Sequence, residues 1–350
     1  MTYLHDLDPF ALKLWGDFGI RWYGLSYLMG FFLGYLFIIW LARKGRTPVL
    51  PQHVGDFVFA VALGCIIGGR LGYCIFYNPS LLYSFDGAFP FWGVLQINKG
   101  GMASHGGMIG MVVSCWLFGR KHDLPITHLF DLTIFGSTLG IFFGRLANFV
   151  NGELLGRPSP PDFPFSVKFP QEIYDWPYYA PEKLSLLDKI VPAVGISPEQ
   201  FGGWVRQSGI PQARQSIENT LQLIVQAVQQ DNSRVIEALE PLLVARYPSQ
   251  LIAACLEGLF IFLILFVVWR KPQKPGIITA LFFCLYAVFR VVGEQFRMPD
   301  LHIGFQLFGL TRGQWLSLAL LIIGLICLAY WNSRKAEPMG GWSNKATNIS

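Results

Sequence analysis

The sequence predicts an all-α membrane protein with seven transmembrane helices, its N-terminus outside and its C-terminus cytoplasmic, carrying an arm and an inserted head on the outer side. Three observations carry this. Of the 350 residues, 53% are hydrophobic and 14% charged, too apolar a balance for an ordinary soluble domain. Seven apolar stretches, at 23–42, 56–77, 104–119, 126–149, 250–269, 276–293 and 314–332, approach the about 20 residues that a helix needs to cross about 30 Å of hydrocarbon. Short basic clusters, Arg43, Lys44 and Arg46, then Arg120 and Lys121, then Arg270, Lys271 and Lys274, then Arg334 and Lys335, fall at alternate ends of these stretches, which marks that side as cytoplasmic.

The elements follow in order. Met1 to Asp17 is mixed and aromatic, without a basic n-region leading to a small-residue cleavage site, so the first span is expected to act as an uncleaved insertion signal. Residues 1–150 form a first membrane half of four spans. Within it, 78–103 read as a surface arm whose rings, Tyr83, Phe85, Phe89, Phe91 and Trp92, suit the headgroup region. Residues 151–249 read as a head, Pro-rich from Arg157 to Pro164 and helix-like from about Ser216 to Ala245. Residues 250–335 form a second half of three spans, and 336–350 a cytoplasmic tail. The N-terminus and head then face outward, because long loops escape the charge rule.

Composition also excludes. All six cysteines lie within predicted spans and none forms a C-x-x-C pair, against a disulfide framework or zinc site. The net charge of +5 lies mostly in cytoplasmic flanks, which fits membrane anchoring rather than nucleic-acid binding. Glycines recur at helical spacing as Gly64, Gly68 and Gly72, as Gly106 and Gly110, and as Gly136, Gly140 and Gly144; close helix packing is their first reading.

An arginine inside a membrane span is costly unless paired or hydrated, so each is a candidate site residue. Arg145, Asn148 and Asn151 follow i, i+3, i+6 spacing, with Glu153, Gly156 and Arg157 just beyond; a planar guanidinium suits a phosphate. Tyr286, Arg290, Glu294 and Arg297 follow i, i+4, i+8, i+11, one helical face on which Arg290 and Glu294 can pair. His105 stands among Gly100, Gly101, Gly106 and Gly107, where an imidazole can act as a base and glycines permit close approach of a substrate. His5, His53, His122, His128 and His302 are read as structural. Arg70 lies in the outer part of the second span and Tyr23 at the outer rim, while Asp131 and Glu257 read as acids that pair or lock helices. Arginines, a histidine and an aromatic rim at one depth point to chemistry on a phospholipid headgroup. A transporter of anionic lipid would also use buried arginines, and a non-catalytic assembly factor would use only the head.

These residues resemble the prolipoprotein diacylglyceryl transferases. The stretch Gly144 to Gly156, GRLANFVNGELLG, is similar to the family signature, as are Trp22-Tyr23-Gly24, Gly68 to Tyr73, Met102 to Gly107, Pro248-Ser249-Gln250 and Tyr286 to Arg297. The resemblance implies a bacterial inner-membrane enzyme, with its active site toward the periplasm, that moves diacylglyceryl from phosphatidylglycerol to the lipobox cysteine of a prolipoprotein, the first step of lipoprotein maturation. On that reading His105, Arg145 and Arg290 are catalytic. Phosphatidylglycerol meets Arg145, Asn148, Asn151, Glu153, Gly156, Tyr23, Tyr286, Glu294, Arg70 and Arg297. The partners are phosphatidylglycerol, lipobox segments and membrane lipids, with no cofactor, metal or nucleic acid. The chain departs from the pattern at Tyr247, where the family often has His, and at Ile252 and Ala253, where it has Tyr-Glu. The run from about 185 to 245 has no counterpart in the family pattern.

Overall fold

The computed structural model describes every residue except 1, 16–17, 88–89, 98–99, 161, 300–303, 305 and 344–350. Phe89 of the aromatic arm, His302 and the end of the tail lie outside the described residues. Each apolar stretch holds a helix: α1 Trp22–Arg43, α2 Val54–Phe76, α3 Ser104–Lys121 and α4 Ile126–Val150 come first. The head contributes α5 Pro198–Arg206, α6 Pro211–Gln229 and α7 Ser233–Leu239. Then follow α8 Ser249–Val268, α9 Ile277–Gly293 and α10 Arg312–Ser333. Five of these, α1, α2, α4, α8 and α10, are long and apolar enough to cross a membrane. The 17 residues of α9 and the glycine-rich start of α3 depart from that pattern, and both segments carry polar residues singled out above.

The all-α expectation needs a correction. Short strands β1 Tyr3–Leu4, β4 Val167–Lys168 and β5 Ala245–Arg246 form one small sheet, and β2 Phe10–Trp15 pairs antiparallel with β3 Phe18–Arg21. Two-residue strands are too short to show an alternating pattern, so backbone pairing between distant segments, not side-chain periodicity, makes them.

The chain divides into two compact units. One comprises Met1–Ser26, Phe142–Leu256 and Phe289–Trp315; the other Tyr27–Ile141, Glu257–Val288 and Leu316–Ser350. In the second, glycines bring backbones together: a Cβ on Gly68 or Gly72 would meet the α3 backbone at Gly106 and Gly110, and one on Gly30 or Gly34 would meet Gly140 or Gly136 of α4. Only the missing side chains permit such approach, while Gly144 faces open space. Asp131 of α4 accepts the Gly276 and Thr279 N–H groups at 2.7 and 2.8 Å and the Thr279 hydroxyl at 2.7 Å. It thereby satisfies orphan donors at the start of α9, the helix-locking role expected of it. The tail folds back: Met339 exchanges backbone hydrogen bonds with Gln273, and the Trp342 ring stacks on Phe266.

The first unit holds the head. Its core gathers Ile173, Trp176, Leu187, Phe201, Ile217, Leu221, Ile224 and Val228, the last four at one-turn spacing along α6. The helix-like run expected over 216–245 is two helices, because Asp231 takes a left-handed φ of 58° and Asn232 caps α7 by accepting the Val235 N–H.

Candidate functional site

The site begins with how α4 ends. Gly152 has φ +64°, its N–H bonds to the Phe149 carbonyl at 2.9 Å and the Glu153 N–H to the Asn148 carbonyl at 3.0 Å, a Schellman stop with glycine at the left-handed position. Asn151 is the C-cap, its N–H still bonded to the Ala147 carbonyl at 2.9 Å, so the i, i+3, i+6 spacing carries to the end of the helix. The stop folds Glu153 back. Its carboxylate accepts from Tyr23 Oη at 2.7 Å, Asn148 Nδ2 at 3.3 Å and Asn151 Nδ2 at 3.4 Å, and Asn148 also donates to the Tyr23 hydroxyl.

Two segments strap the turn that follows. From one side, Ser249 Oγ donates to the Leu154 carbonyl at 2.8 Å, Gln250 Nε2 donates to the Glu153 carbonyl, and Arg246, ion-paired with buried Glu172 at 2.9 Å, donates to the Gly156 carbonyl at 2.9 Å. From the other, Gly156 pairs with Arg297, the Arg157 N–H reaches the Phe296 carbonyl at 2.9 Å, and Arg157 Nε reaches the Arg297 carbonyl at 3.0 Å. A Cβ on Gly156 would collide with the Tyr247 carbonyl, so glycine is required where backbone meets backbone. Arg297 is a correction as well: α9 ends at Gly293, and Arg297 stands on the extended chain that pairs with the turn. Leu154 holds a φ of 57°, a left-handed strain of the kind found at functional sites.

Arg145, Arg290 and Arg297, with Leu154, Ser249, Gln250, Ala253 and Gly293, line one narrow cavity whose open space is about 10 Å³, the room of about one water. Arg290 Nη2 lies 2.5 Å from Glu294 Oε1, the pairing expected from i, i+4 spacing. Glu294 Oε2 accepts the Thr311 hydroxyl at 3.0 Å. Three guanidinium groups thus line the cavity, one of them ion-paired with Glu294.

The first unit thus brings together Tyr23, Arg145, Asn148, Asn151, Glu153, Gly156, Arg290, Glu294 and Arg297. Arg70, His105 and Tyr286 belong to the other unit. Arg70 is a correction: its guanidinium donates to the carbonyls of Gly93, Val94, Gln96, Gly100 and Gly101 at 2.5 to 3.3 Å. An arginine has five N–H donors, and carbonyls of the arm occupy them all, leaving none for a phosphate. His105 is exposed on the first turn of α3. Gly106 and Gly107 beside it pack on Gly68 and Cys65 of α2, so they serve helix packing rather than substrate approach. Tyr286 lies one turn before Arg290 on α9, its ring tilted on Phe282 at 5.6 Å.

The residue reading gave no role to Ser249, Gln250, Arg246, Glu172, Thr311 or Gln314. Two of them were legible: Thr311-Arg312-Gly313-Gln314 spells a capping box, and Gln314 Oε1 accepts the Thr311 N–H while Thr311 Oγ1 accepts the Gln314 N–H, at 2.9 and 3.2 Å.

Fold and site define a mostly helical protein, with several helices able to cross a membrane and three arginines lining one cavity. The chain matches the family described as prolipoprotein diacylglyceryl transferase over residues 9–330, and it belongs to that family. It is 52% identical over 340 residues to the phosphatidylglycerol–prolipoprotein diacylglyceryl transferase of Bdellovibrio bacteriovorus, covering 97% of each chain. The enzyme of the same name from Rhodospirillum rubrum is 33% identical over 337 residues, 95% of this chain and 94% of the relative. That from Neisseria gonorrhoeae is 31% identical over 337 residues, 95% and 98%.

Proposed function

We propose that this chain transfers the diacylglyceryl group of phosphatidylglycerol to the lipobox cysteine of prolipoproteins. The observation that carries the reading is the convergence of Arg145, Arg290 and Arg297 on one cavity beside the strapped turn 152–157. The thiolate sulfur attacks the glyceryl carbon bonded to the phosphate oxygen, the S–C bond forms, the C–O bond breaks, and glycerol phosphate leaves with the bonding pair. A free thiol has a pKa of about 8.5, so the reaction needs a proton acceptor, a role we assign to His105. Arg145, with Asn148 and Asn151 near it, holds the phosphate; Arg290, anchored by Glu294, stabilises the leaving group. The cavity is narrower than a phosphate, so binding displaces the side chains that line it.

In the same reading seven helices, α1 to α4 and α8 to α10, span the bacterial inner membrane, with the head periplasmic and the tail cytoplasmic. The basic clusters after α1 and α3, between α8 and α9, and after α10 support that orientation. The test is incubation of the purified protein with phosphatidylglycerol and a lipobox peptide, read by the mass of the cysteine. A diacylglyceryl adduct is expected; lipid movement between leaflets without an adduct supports a transporter instead. His105→Gln is expected to abolish transfer while phosphatidylglycerol binding persists, and near-normal turnover removes His105 from the mechanism.

A further inference from the structure

We infer that Thr311, Gly313 and Gln314 at the start of α10 are positioning residues for the Arg290–Glu294 pair, acting through Glu294 and not on substrate. The inference rests on the transfer reaction proposed above. A hydroxyl carries one proton and two lone pairs, and Thr311 uses both kinds of valence. Its oxygen accepts the Gln314 N–H at 3.2 Å, as an N-cap does, while its proton goes outward to Glu294 Oε2 at 3.0 Å. The cap has no use for that outward bond.

Gln314 closes the box by accepting the Thr311 N–H at 2.9 Å, which fixes the backbone from which the hydroxyl points. Gly313 completes the fit: a Cβ there would stand 2.8 Å from Glu294 Oε1 and 3.3 Å from Arg290 Nη2, so a side chain would push the pair away. The buried carboxylate, 4% exposed, is held at one oxygen by Arg290 and at the other by Thr311, so it cannot rotate. It also faces the positive end of a 22-residue helix, where a carboxylate is favoured. The guanidinium it grips lines the cavity with Arg145 and Arg297.

Three substitutions separate positioning from capping. Thr311→Ser keeps the cap and the proton for Glu294; Thr311→Asp keeps a good cap but has no proton to give; Thr311→Val keeps neither. Transfer by the purified full chain and thermal unfolding are measured side by side. Thr311→Ser is expected to retain near-parental kcat. Thr311→Asp and Thr311→Val are expected to lose about tenfold or more in kcat, the scale of one hydrogen bond to a charged group. KM should change little, the mark of an interaction made in the transition state. Thr311→Val, which loses the cap, and Thr311→Asp, which sets a second buried carboxylate against Glu294, should both lower Tm, whereas Thr311→Ser should not. Gly313→Ala, with both cap bonds intact, should also lower kcat. Full activity in Thr311→Asp or Thr311→Val overturns the inference. If the parent itself transfers nothing, the reaction is wrong, and the coupling is then judged on Tm. A Thr311→Val, Glu294→Gln double variant no less stable than the weaker single supports the positioning role, and additive losses overturn it.

Discussion

Arg70 and Arg290 look alike in the sequence, each a lone cation in an apolar helix, yet their surroundings give them opposite work. Around Arg70, carbonyls of residues 93–101 take every donor, and the arginine ties that segment to α2. Around Arg290 the partner is a carboxylate, Glu294, itself held by Thr311, and the guanidinium lines a cavity with two more arginines. Burial of an arginine therefore does not by itself mark a binding site. What differs is where its donors go: Arg70 gives all five to carbonyls of its own chain and acts as a clamp, while Arg290 grips a carboxylate and lines a cavity.

The largest expected effect breaks the comparison outright if it fails. Arg145→Gln and Arg290→Gln should each reduce transfer by about a hundredfold or more, the scale of removing a charge-stabilising donor, and Arg145→Gln should also weaken phosphatidylglycerol binding in a vesicle assay. Arg70→Lys, which keeps the charge but cannot reach five carbonyls with three donors, should cost about 3 kcal/mol or more of stability, with transfer per folded molecule changed far less. A stable Arg70→Lys that no longer binds phosphatidylglycerol would return Arg70 to the site and end the distinction.

Glycines in the two regions sharpen it further. Gly100 and Gly152 both hold positive φ, +81° and +64°, so alanine at either should cost about 1 to 2 kcal/mol of backbone strain. At Gly100 the space around a Cβ is open, whereas at Gly152 the Gln171 side chain fills it. Gly152→Ala should therefore show the larger drop in Tm and should also lower transfer, because the turn it closes carries Glu153. Equal Tm losses, with transfer untouched, would mean that the turn matters only as a helix stop.

Helix positions were legible because long apolar windows and basic flanks depend on local composition, and α1 to α4 and α8 to α10 all lie within two residues of the windows that predicted them. The pairing of Arg290 with Glu294 was legible for the same reason, being one turn apart. Arg70 was not, because its partners lie 23 to 31 residues away in a segment whose path only the fold sets. Nor was the place of Arg297, since helical spacing does not carry past the end of α9 at Gly293. The break in the head run at Asp231 was hidden by its even mixture of Gln, Glu and Val, although Asn232 ahead of Val235 was a cap that could have been read.

The smallest expected effect concerns a hold on the end of α4 that carries no charge. His5 Nε2 lies 2.7 Å from the Phe149 carbonyl, an acceptor only, so the ring donates from Nε2 and faces Gln171 with Nδ1 at 3.4 Å. Burial lowers its pKa below the usual 6.5, with the Phe149 bond opposing in part. The folded chain thus keeps the ring neutral in a range where the unfolded chain has already bound a proton. Extra proton uptake by the unfolded state favours unfolding, so this contribution is complete above about pH 6.5 and is lost as pH falls below it, down to the lowered folded value. The slope is at most about 1.4 kcal/mol per pH unit for one group. His5→Phe removes the titration and the bond together: it should be less stable than the parent at pH 8, and the gap should narrow as the pH is brought to 5, read as Tm across that range. Parallel curves would show that His5 stays protonated or exposed in the folded chain, and that its grip on the end of α4 is not the neutral one its geometry describes.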